Sequence, residues 1–287
     1  MKKTITLLLT FAATTITSAQ TPEKVLARVH YTYINKNDTL KNGKAHTENI
    51  LLFIGKNASL YTSYDRLNHQ LALDQKVRAK FMTMIDDGKP KTITIDESSS
   101  KWMSTTNHLY FIKENKHYLK ETISDQSYLV EETMPSINWK ITKDTLSFSG
   151  LNCQKATTNY DGKNWIAWFA PNLPFQSGPW QLNGLPGLII DVYDELKNIH
   201  FQFAGMENLN EGDFKRLNDI TKSPSASPGD INTIDLMLGF DVADAYYANM
   251  IKLSAIYTTK TTKAQLEKFK IAVEKDQRGI SKTQSKY

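Results

Sequence analysis

Histidine, cysteine and carboxylate side chains are the groups through which this chain could bind a metal or catalyse a reaction, and their spacing predicts neither. No two histidines have the four-residue spacing of a helical zinc site, and no pair of cysteines accompanies them. Gly-x-Ser-x-Gly, phosphate-loop and dinucleotide-binding motifs are absent from the sequence. The sequence therefore predicts no catalytic residue, no metal ligand and no cofactor, although a site assembled from distant strands stays open. The six histidines are His30, His46, His69, His108, His117 and His200.

Cys153 is the only cysteine, so the chain cannot form a disulfide within itself. It lies in the strand-like run from Gly150 to Ala156, where a side chain that faces a core would be inert. A free thiol could otherwise act as a nucleophile or as an intermolecular link. We expect the buried and unreactive arrangement.

A strand with two apolar faces follows the turn signal Asp161-Gly162. A type I′ hairpin needs positive φ at both central residues, which Asp-Gly tolerates, so the turn should pair 155–160 with 164–169. Such a strand is central in its sheet or lines a pocket. We therefore predict Trp165, Trp168 and Phe169 as ligand-facing residues. The two faces comprise Trp165, Ala167 and Phe169 on one side and Ile166, Trp168 and Ala170 on the other.

The elements that position these side chains are mainly strands. Apolar and polar residues alternate from Val25 to Tyr33, and short apolar runs bounded by turn residues predict further strands. Helical spacing from Leu73 to a stop at Gly88 predicts one helix, and others are predicted at 243–256 and 264–276. The sequence therefore predicts an α+β fold, predominantly antiparallel β, with one or more covering helices and a helical C-terminal tail. The further predicted strands are 50–54, 59–64, 92–95, 109–112, 118–121, 128–132, 139–142, 188–193 and 199–203.

The most distinctive segment is the hexapeptide from Gly184 to Ile189. Pro186 fixes its own φ and favours an extended Leu185, while Gly187 can take the positive φ of a type II turn. Such a corner launches a buried strand, so we interpret the motif as architecture rather than chemistry. Its residues are Gly184, Leu185, Pro186, Gly187, Leu188 and Ile189.

With this hexapeptide the chain resembles the GLPGLI family, a set of exported proteins of Bacteroidota named for it. The resemblance extends through 150–156, 165–171 and 177–180, and it covers roughly Val25 to Phe203. It implies export and an unassigned biochemical role, and it carries over no catalytic or ligand-binding residue. A distant similarity to a bowl-shaped accessory domain of some bacterial glycan-removing amidases implies a strongly curved sheet, bowl-like or half-barrel in shape.

The N-terminal residues have the pattern of a secretory signal peptide. Lys2 and Lys3 precede an apolar run from Thr4 to Ile16, and small residues follow at 17–19 where signal peptidase cuts. We expect a mature chain without a transmembrane span, located in the periplasm, on the outer membrane or outside the cell. The predicted segments are a signal peptide (1–19), a curved antiparallel β domain with the hexapeptide (20–222), and a Ser/Pro linker with a helical C-terminal extension (223–287).

The net charge of +5 does not predict a nucleic-acid partner, because the basic excess is concentrated at 260–286, as in a solvated helix face and tail. The leading hypothesis is a non-catalytic binding or accessory protein of the envelope, with an apolar concavity for an apolar or peptide ligand. One alternative is a periplasmic hydrolase of peptides or glycans, which needs carboxylates or histidines from separate strands in one cleft. Another is a structural or assembly component with an outer-membrane protein partner.

Overall fold

The computed structural model describes residues 21–39, 43–87, 103–124, 126–209 and 238–284, and these residues form mainly antiparallel β-structure. The predicted signal peptide, the predicted strand at 92–95 and the Ser/Pro linker lie outside the described residues. The strands, in chain order, are β1 (Glu23–Lys24), β2 (Ala27–Thr39), β3 (Ala45–Ile54), β4 (Ala58–Ser63), β5 (Thr106–Phe111), β6 (Lys116–Ile123), β7 (Gln126–Thr133), β8 (Lys140–Phe148), β9 (Leu151–Tyr160), β10 (Lys163–Ala170), β11 (Leu188–Asp194), β12 (Ile199–Asn208), β13 (Met250–Ile251) and β14 (Thr258–Thr261).

Twelve of these strands form one sheet in the order β14-β7-β6-β5-β4-β3-β2-β12-β11-β10-β9-β8. The order contains two antiparallel meanders, β2 to β7 and β8 to β12, because strands that follow each other in the chain tend to pair. The meanders join where β12 pairs with β2. β14 adds to β7 in parallel, and β1 pairs separately with β13. The predicted antiparallel β-rich class is confirmed.

The helices within the described residues are α1 (Tyr64–Asp87), α2 (Phe240–Tyr247) and α3 (Lys263–Gln284). Helix α1 begins at Tyr64 rather than at Leu73, because Ser63 caps it: the Arg66 backbone N–H donates to Ser63 Oγ at 3.0 Å. The prediction missed this start since the cap comes directly after a buried strand. None of the described helices is both long and apolar enough to span a membrane.

Two hydrophobic cores lie on opposite faces of the sheet. Strand β3 serves both, because its side chains alternate: Ile50 and Leu52 belong to the first core, and Leu51 and Phe53 to the second. The first core also contains Trp165 of β10 and the apolar residues of β11. The second core packs residues of α1 and α2 against the sheet. The consecutive apolar residues of β3 are therefore explained by the burial of this strand on both of its faces.

Strand β14 and helix α3 connect the C-terminal residues to the sheet. Thr258 to Thr261 pair with β7, and Leu266 of α3 is buried against Leu119 and Val130. The division of the chain at residue 223 into a β domain and an extension stays a prediction.

Candidate functional site

A cavity of about 270 Å³ opens on the sheet face that carries the first core. Strands β2, β3, β4, β5, β10 and β12 all contribute side chains to it, so residues far apart in sequence meet there. Its lining is mixed, with aromatic and polar side chains, and we call the aromatic part of the lining its walls. We call it the aromatic cavity; it is lined by Tyr33, Glu48, Tyr61, Ser104, Thr106, His108, Asp161, Lys163, Trp165, Trp180, Ile199 and Phe201.

The aromatic walls form two groups of rings. Tyr33 and Phe201 pack with their centroids 4.9 Å apart, and Tyr61 meets Phe201 edge-on at 6.5 Å. Trp165 and Trp180 form the other group, 5.9 Å apart and tilted by 40°. All three centroid distances lie in the range in which aromatic rings attract each other, so these contacts stabilise the walls.

Glu48 supplies a buried carboxylate to the lining of the cavity and is only 1% exposed. Its Oε1 accepts hydrogen bonds from Ser63 Oγ at 2.5 Å and from the Ser104 backbone N–H at 2.8 Å. Its Oε2 lies 3.5 Å from Nε2 of His46. A buried charge needs such donors to offset its lost hydration, and they also fix the orientation of the carboxylate.

His108 begins a chain of polar contacts that runs from the cavity toward the surface. Its Nδ1 lies 3.0 Å from Nε2 of His117, and Nδ1 of His117 lies 3.4 Å from Oε2 of Glu132. The Glu132 side chain is 33% exposed, whereas both imidazoles are buried. Burial lowers the pKa of His108 well below its ordinary value, and burial followed by the charge of Lys263 lowers the pKa of His117 to about 4. Both rings are therefore neutral at pH 7, with one ring donating to the other.

The hairpin register explains why the sequence did not reveal this pair. Strands β5 and β6 pair His108 with Leu119 and Tyr110 with His117, which places both imidazoles on one face. A loop at 113–115 is predicted from the sequence, and combining it with period-two alternation would have brought the histidines together. His30, predicted on a polar face, is partly buried beside Glu207 at 3.3 Å.

Residues 171–187 hold Trp180 at the cavity, and the hexapeptide anchors them. The Ile189 N–H donates to Ser177 O at 3.0 Å, and the Tyr110 hydroxyl donates to Trp180 O at 3.2 Å. Tyr160 and Trp165 contact the Trp180 ring. The motif therefore fixes the path of the segment that carries one cavity wall.

The turn inside the hexapeptide differs from the predicted type II turn. The Gly187 N–H donates to Leu185 O at 2.8 Å, a three-residue turn around Pro186. The left-handed φ, +87°, lies at Gly184. Gly187 has a φ of +159°, and a Cβ there would lie 2.3 Å from the Ala170 carbonyl oxygen. Close approach to β10 is therefore what requires glycine at 187.

The three predicted ligand-facing residues occupy different environments. Trp165 lines the aromatic cavity, and its indole N–H donates to Tyr160 O at 3.0 Å. Phe169 is fully buried in the first core, and Trp168 is a partly buried residue packed against that core. Only Trp165 of the three belongs to the lining of this cavity. A more open polar groove of about 480 Å³ lies beside Trp165 and Ile166.

Cys153 is buried in the first core, as expected for a strand residue facing inward. Burial, together with the charge of Asp191, raises the pKa of its thiol to about 11. Within the part of the chain that the structure describes, no group of three or more His, Cys, Asp or Glu side chains could hold a metal ion.

Comparison with known proteins gives a likeness of fold. Neither a protein-family model nor a curated protein matches the chain. Solved structures of PNGF-II are similar to it: the form in the P21 space group has a TM-score of 0.50 at 10% identity, covering 85% of this chain and 33% of PNGF-II. The form in the C2 space group has a TM-score of 0.49 at 12% identity, with 85% and 32% covered. The chain thus spans about a third of the length of PNGF-II.

Proposed function

We propose that the chain is an exported envelope protein of the GLPGLI family that binds a small organic ligand in the aromatic cavity without transforming it. The hexapeptide at 184–189 and the apolar leader at 4–16 support the family and the export. The observation that carries the binding role is the cavity itself, where aromatic walls enclose a buried carboxylate. Concave, mostly apolar sites with a few fixed polar groups are the usual form of small-ligand sites.

Export is tested by N-terminal sequencing of the protein from its native cells. A mature chain beginning at Gln20, recovered from the periplasm or the medium, is the expected result. An intact chain beginning at Met1 in the cytosol contradicts it.

Binding is tested by filling the cavity. Native mass spectrometry of the exported protein should show a bound small molecule, which the Ile199→Trp variant should lose because the larger ring occupies the cavity. Ile141→Trp makes the same change at an exposed position of β8 and serves as the control. Retention of the ligand by Ile199→Trp at wild-type occupancy contradicts the proposal.

A hydrolase is the second candidate, and the arrangement of Glu48 and His108 favours it. These residues come from separate strands, β3 and β5, and line one cavity. A neutral His108 can accept a proton from a water molecule, and its hydrogen bond with His117 fixes the orientation of its ring. Such an enzyme would act on a peptide or glycan small enough to enter the cavity.

The hydrolase candidate is tested with peptide and glycan libraries and the His108→Gln variant. If the protein is a hydrolase, the substitution should lower the rate by about 100-fold, because general-base assistance is lost. His200→Gln is the matched control, since His200 bonds Asp191 at 2.8 Å outside the cavity lining. No turnover of any library member by the wild-type protein removes this candidate.

The proposal also includes the curvature of the sheet and the helical C-terminal tail. We infer a strongly curved sheet, supported by the register shifts between Trp168 and Phe169 and between Phe203 and Gly205, since bulges bend strands and increase their twist. A helical C-terminal tail is inferred from α3. Small-angle scattering of the mature protein tests both features of shape.

A further inference from the structure

We propose that the ligand of the aromatic cavity is an organic ammonium ion, held between the aromatic rings and the Glu48 carboxylate. This inference rests on the proposed binding function. It concerns the charge of the ligand, which the shape of the cavity does not fix.

The contacts of Glu48 make it an acceptor. The Arg66 backbone N–H donates to Ser63 Oγ, so the Ser63 hydroxyl proton is directed at Glu48 Oε1. The Ser104 N–H donates to the same oxygen. Oε2 has the longer 3.5 Å contact with His46, and it is the oxygen better placed to attract a cationic ligand.

Among the described residues that line the cavity, the two carboxylates outnumber the one lysine, so the lining has an excess of negative charge. His108 is uncharged, because burial holds its pKa well below the ordinary value. Asp161 and Lys163, which also line the cavity, carry opposite charges. Outside the lining, Lys120 pairs with Asp241 and Lys270 with Glu121, and the Arg66 guanidinium lies within electrostatic reach of Asp241, Glu121 and Glu48. An ammonium ion in the cavity would therefore balance the excess negative charge of its lining.

The aromatic rings of the cavity walls also favour a cationic ligand. The electron-rich faces of tryptophan and tyrosine attract cations, more strongly where water is excluded. Burial raises the pKa of Tyr61 well above its ordinary value and raises that of Tyr33, so both hydroxyls stay protonated. Trp165 and Trp180 add the two indole rings. Aromatic rings of this kind are the usual means by which proteins recognise quaternary ammonium groups, and a carboxylate in the same lining adds charge attraction.

A neutral ligand, such as a sugar, could also stack on these rings, so the test isolates charge from shape. The probes are choline and its neutral carbon isostere 3,3-dimethylbutan-1-ol, titrated by calorimetry and tryptophan fluorescence. We expect choline to bind at least about tenfold more tightly than the isostere.

Two variants test the contributions of the Glu48 carboxylate and of the aromatic rings separately. Glu48→Gln should reduce choline affinity by about tenfold while leaving affinity for the isostere within about twofold, because only the charge is removed. Glu131→Gln, an exposed carboxylate paired with Lys116, is the matched control and should change neither affinity. Trp180→Met keeps an apolar side chain but removes one aromatic face, and it should weaken choline more than the isostere. It also keeps the test informative if Glu48→Gln fails to fold.

Equal affinity for choline and the isostere overturns the ammonium proposal and leaves the binding function standing. The same holds if neither probe binds but a neutral compound does, and Ile199→Trp abolishes that binding. Failure of every cationic, neutral and anionic probe to bind wild-type protein overturns both the ammonium proposal and the binding function.

Discussion

At the scale of single residues, His108, His117 and Cys153 differ from free side chains because the sheet removes them from water. The two imidazoles lie 3.0 Å apart and share one hydrogen bond, so only one of the facing nitrogens carries a proton. The thiol of Cys153 contacts the backbone oxygen of Leu151 at 3.6 Å within the first core. Burial disfavours the charged form of each of these groups.

The buried imidazole of His117 should make the protein sensitive to acid. Its pKa is about 4 in the folded state and about 6.5 when unfolded, so between these values the unfolded chain binds more protons. Stability is therefore lost as the pH falls through this window, by about 2–3 kcal/mol at pH 4.5. Urea unfolding at pH 7 and pH 4.5 should show a smaller acid loss for His117→Gln than for the wild type. An identical pH dependence in the two proteins contradicts this expectation.

The Cys153 thiol should be unreactive in the folded protein. With a pKa of about 11, roughly one thiol in a thousand is ionised at pH 8, and the side chain is also shielded. Ellman's reagent should modify Cys153 only on unfolding, and the same sample in guanidinium chloride is the positive control. Rapid labelling of the native protein would mean that the thiol is accessible.

At the scale of elements, the hexapeptide connects the loop at 171–183 to strand β11, and it packs closely against the end of β10. Gly184 has a left-handed φ, but nothing lies within 4 Å of where its Cβ would be. Gly187 instead lies against the backbone of Ala170 and Pro171. The two glycines of the motif are therefore required for different reasons, one for its dihedral angle and the other for space.

Alanine substitutions at Gly184 and Gly187 should distinguish the constraint on the dihedral angle from the constraint on space. Gly184→Ala should lower the free energy of unfolding by about 1–2 kcal/mol, the cost of a left-handed residue with a Cβ. Gly187→Ala should cost about 3–4 kcal/mol, since the new methyl group would collide with a backbone oxygen that cannot move alone. Chemical denaturation of both variants measures the difference. Equal losses would show that close approach to β10 is not the constraint.

At the scale of the whole molecule, one sheet supports both cores. Strand β3 places Ile50 and Leu52 in the first core and Leu51 and Phe53 in the second, so neither face can lose its packing without disturbing the other. Leu266 of α3 packs on the same sheet near its β14 edge. The residues after the predicted linker therefore share contacts with the residues before it.

We expect the mature protein to unfold in a single transition. Tryptophan fluorescence reports on the first core, because Trp165 lies in it and Trp139, Trp168 and Trp180 pack against it. Circular dichroism at 222 nm reports on the helices, including α1 and α2 of the second core. The two signals should give the same urea midpoint, because β3 couples the cores. Separate midpoints would instead support independent units on either side of residue 223.

Local features of the fold could be predicted from the sequence because they depend on neighbouring residues. Asp161 and Gly162 have φ values of +51° and +70°, as their turn requires, and Lys163 pairs with Tyr160 beside them. The loop at 113–115 connects β5 to β6 as predicted. The start of α1 was missed because Ser63 serves two partners, the Arg66 N–H and the Glu48 carboxylate, and the second of these is distant in sequence.

By itself, the sequence determined the strand-rich class, the Asp-Gly hairpin and the inward position of Cys153, because alternation and turn chemistry act over a few residues. Tertiary structure alone decided the site. Glu48, His108, Trp165 and Trp180 meet only because β12 pairs with β2, which brings the two meanders together and closes the aromatic cavity between them. Strand pairing across such sequence distances depends on the packing of the whole sheet, and no local pattern encodes it.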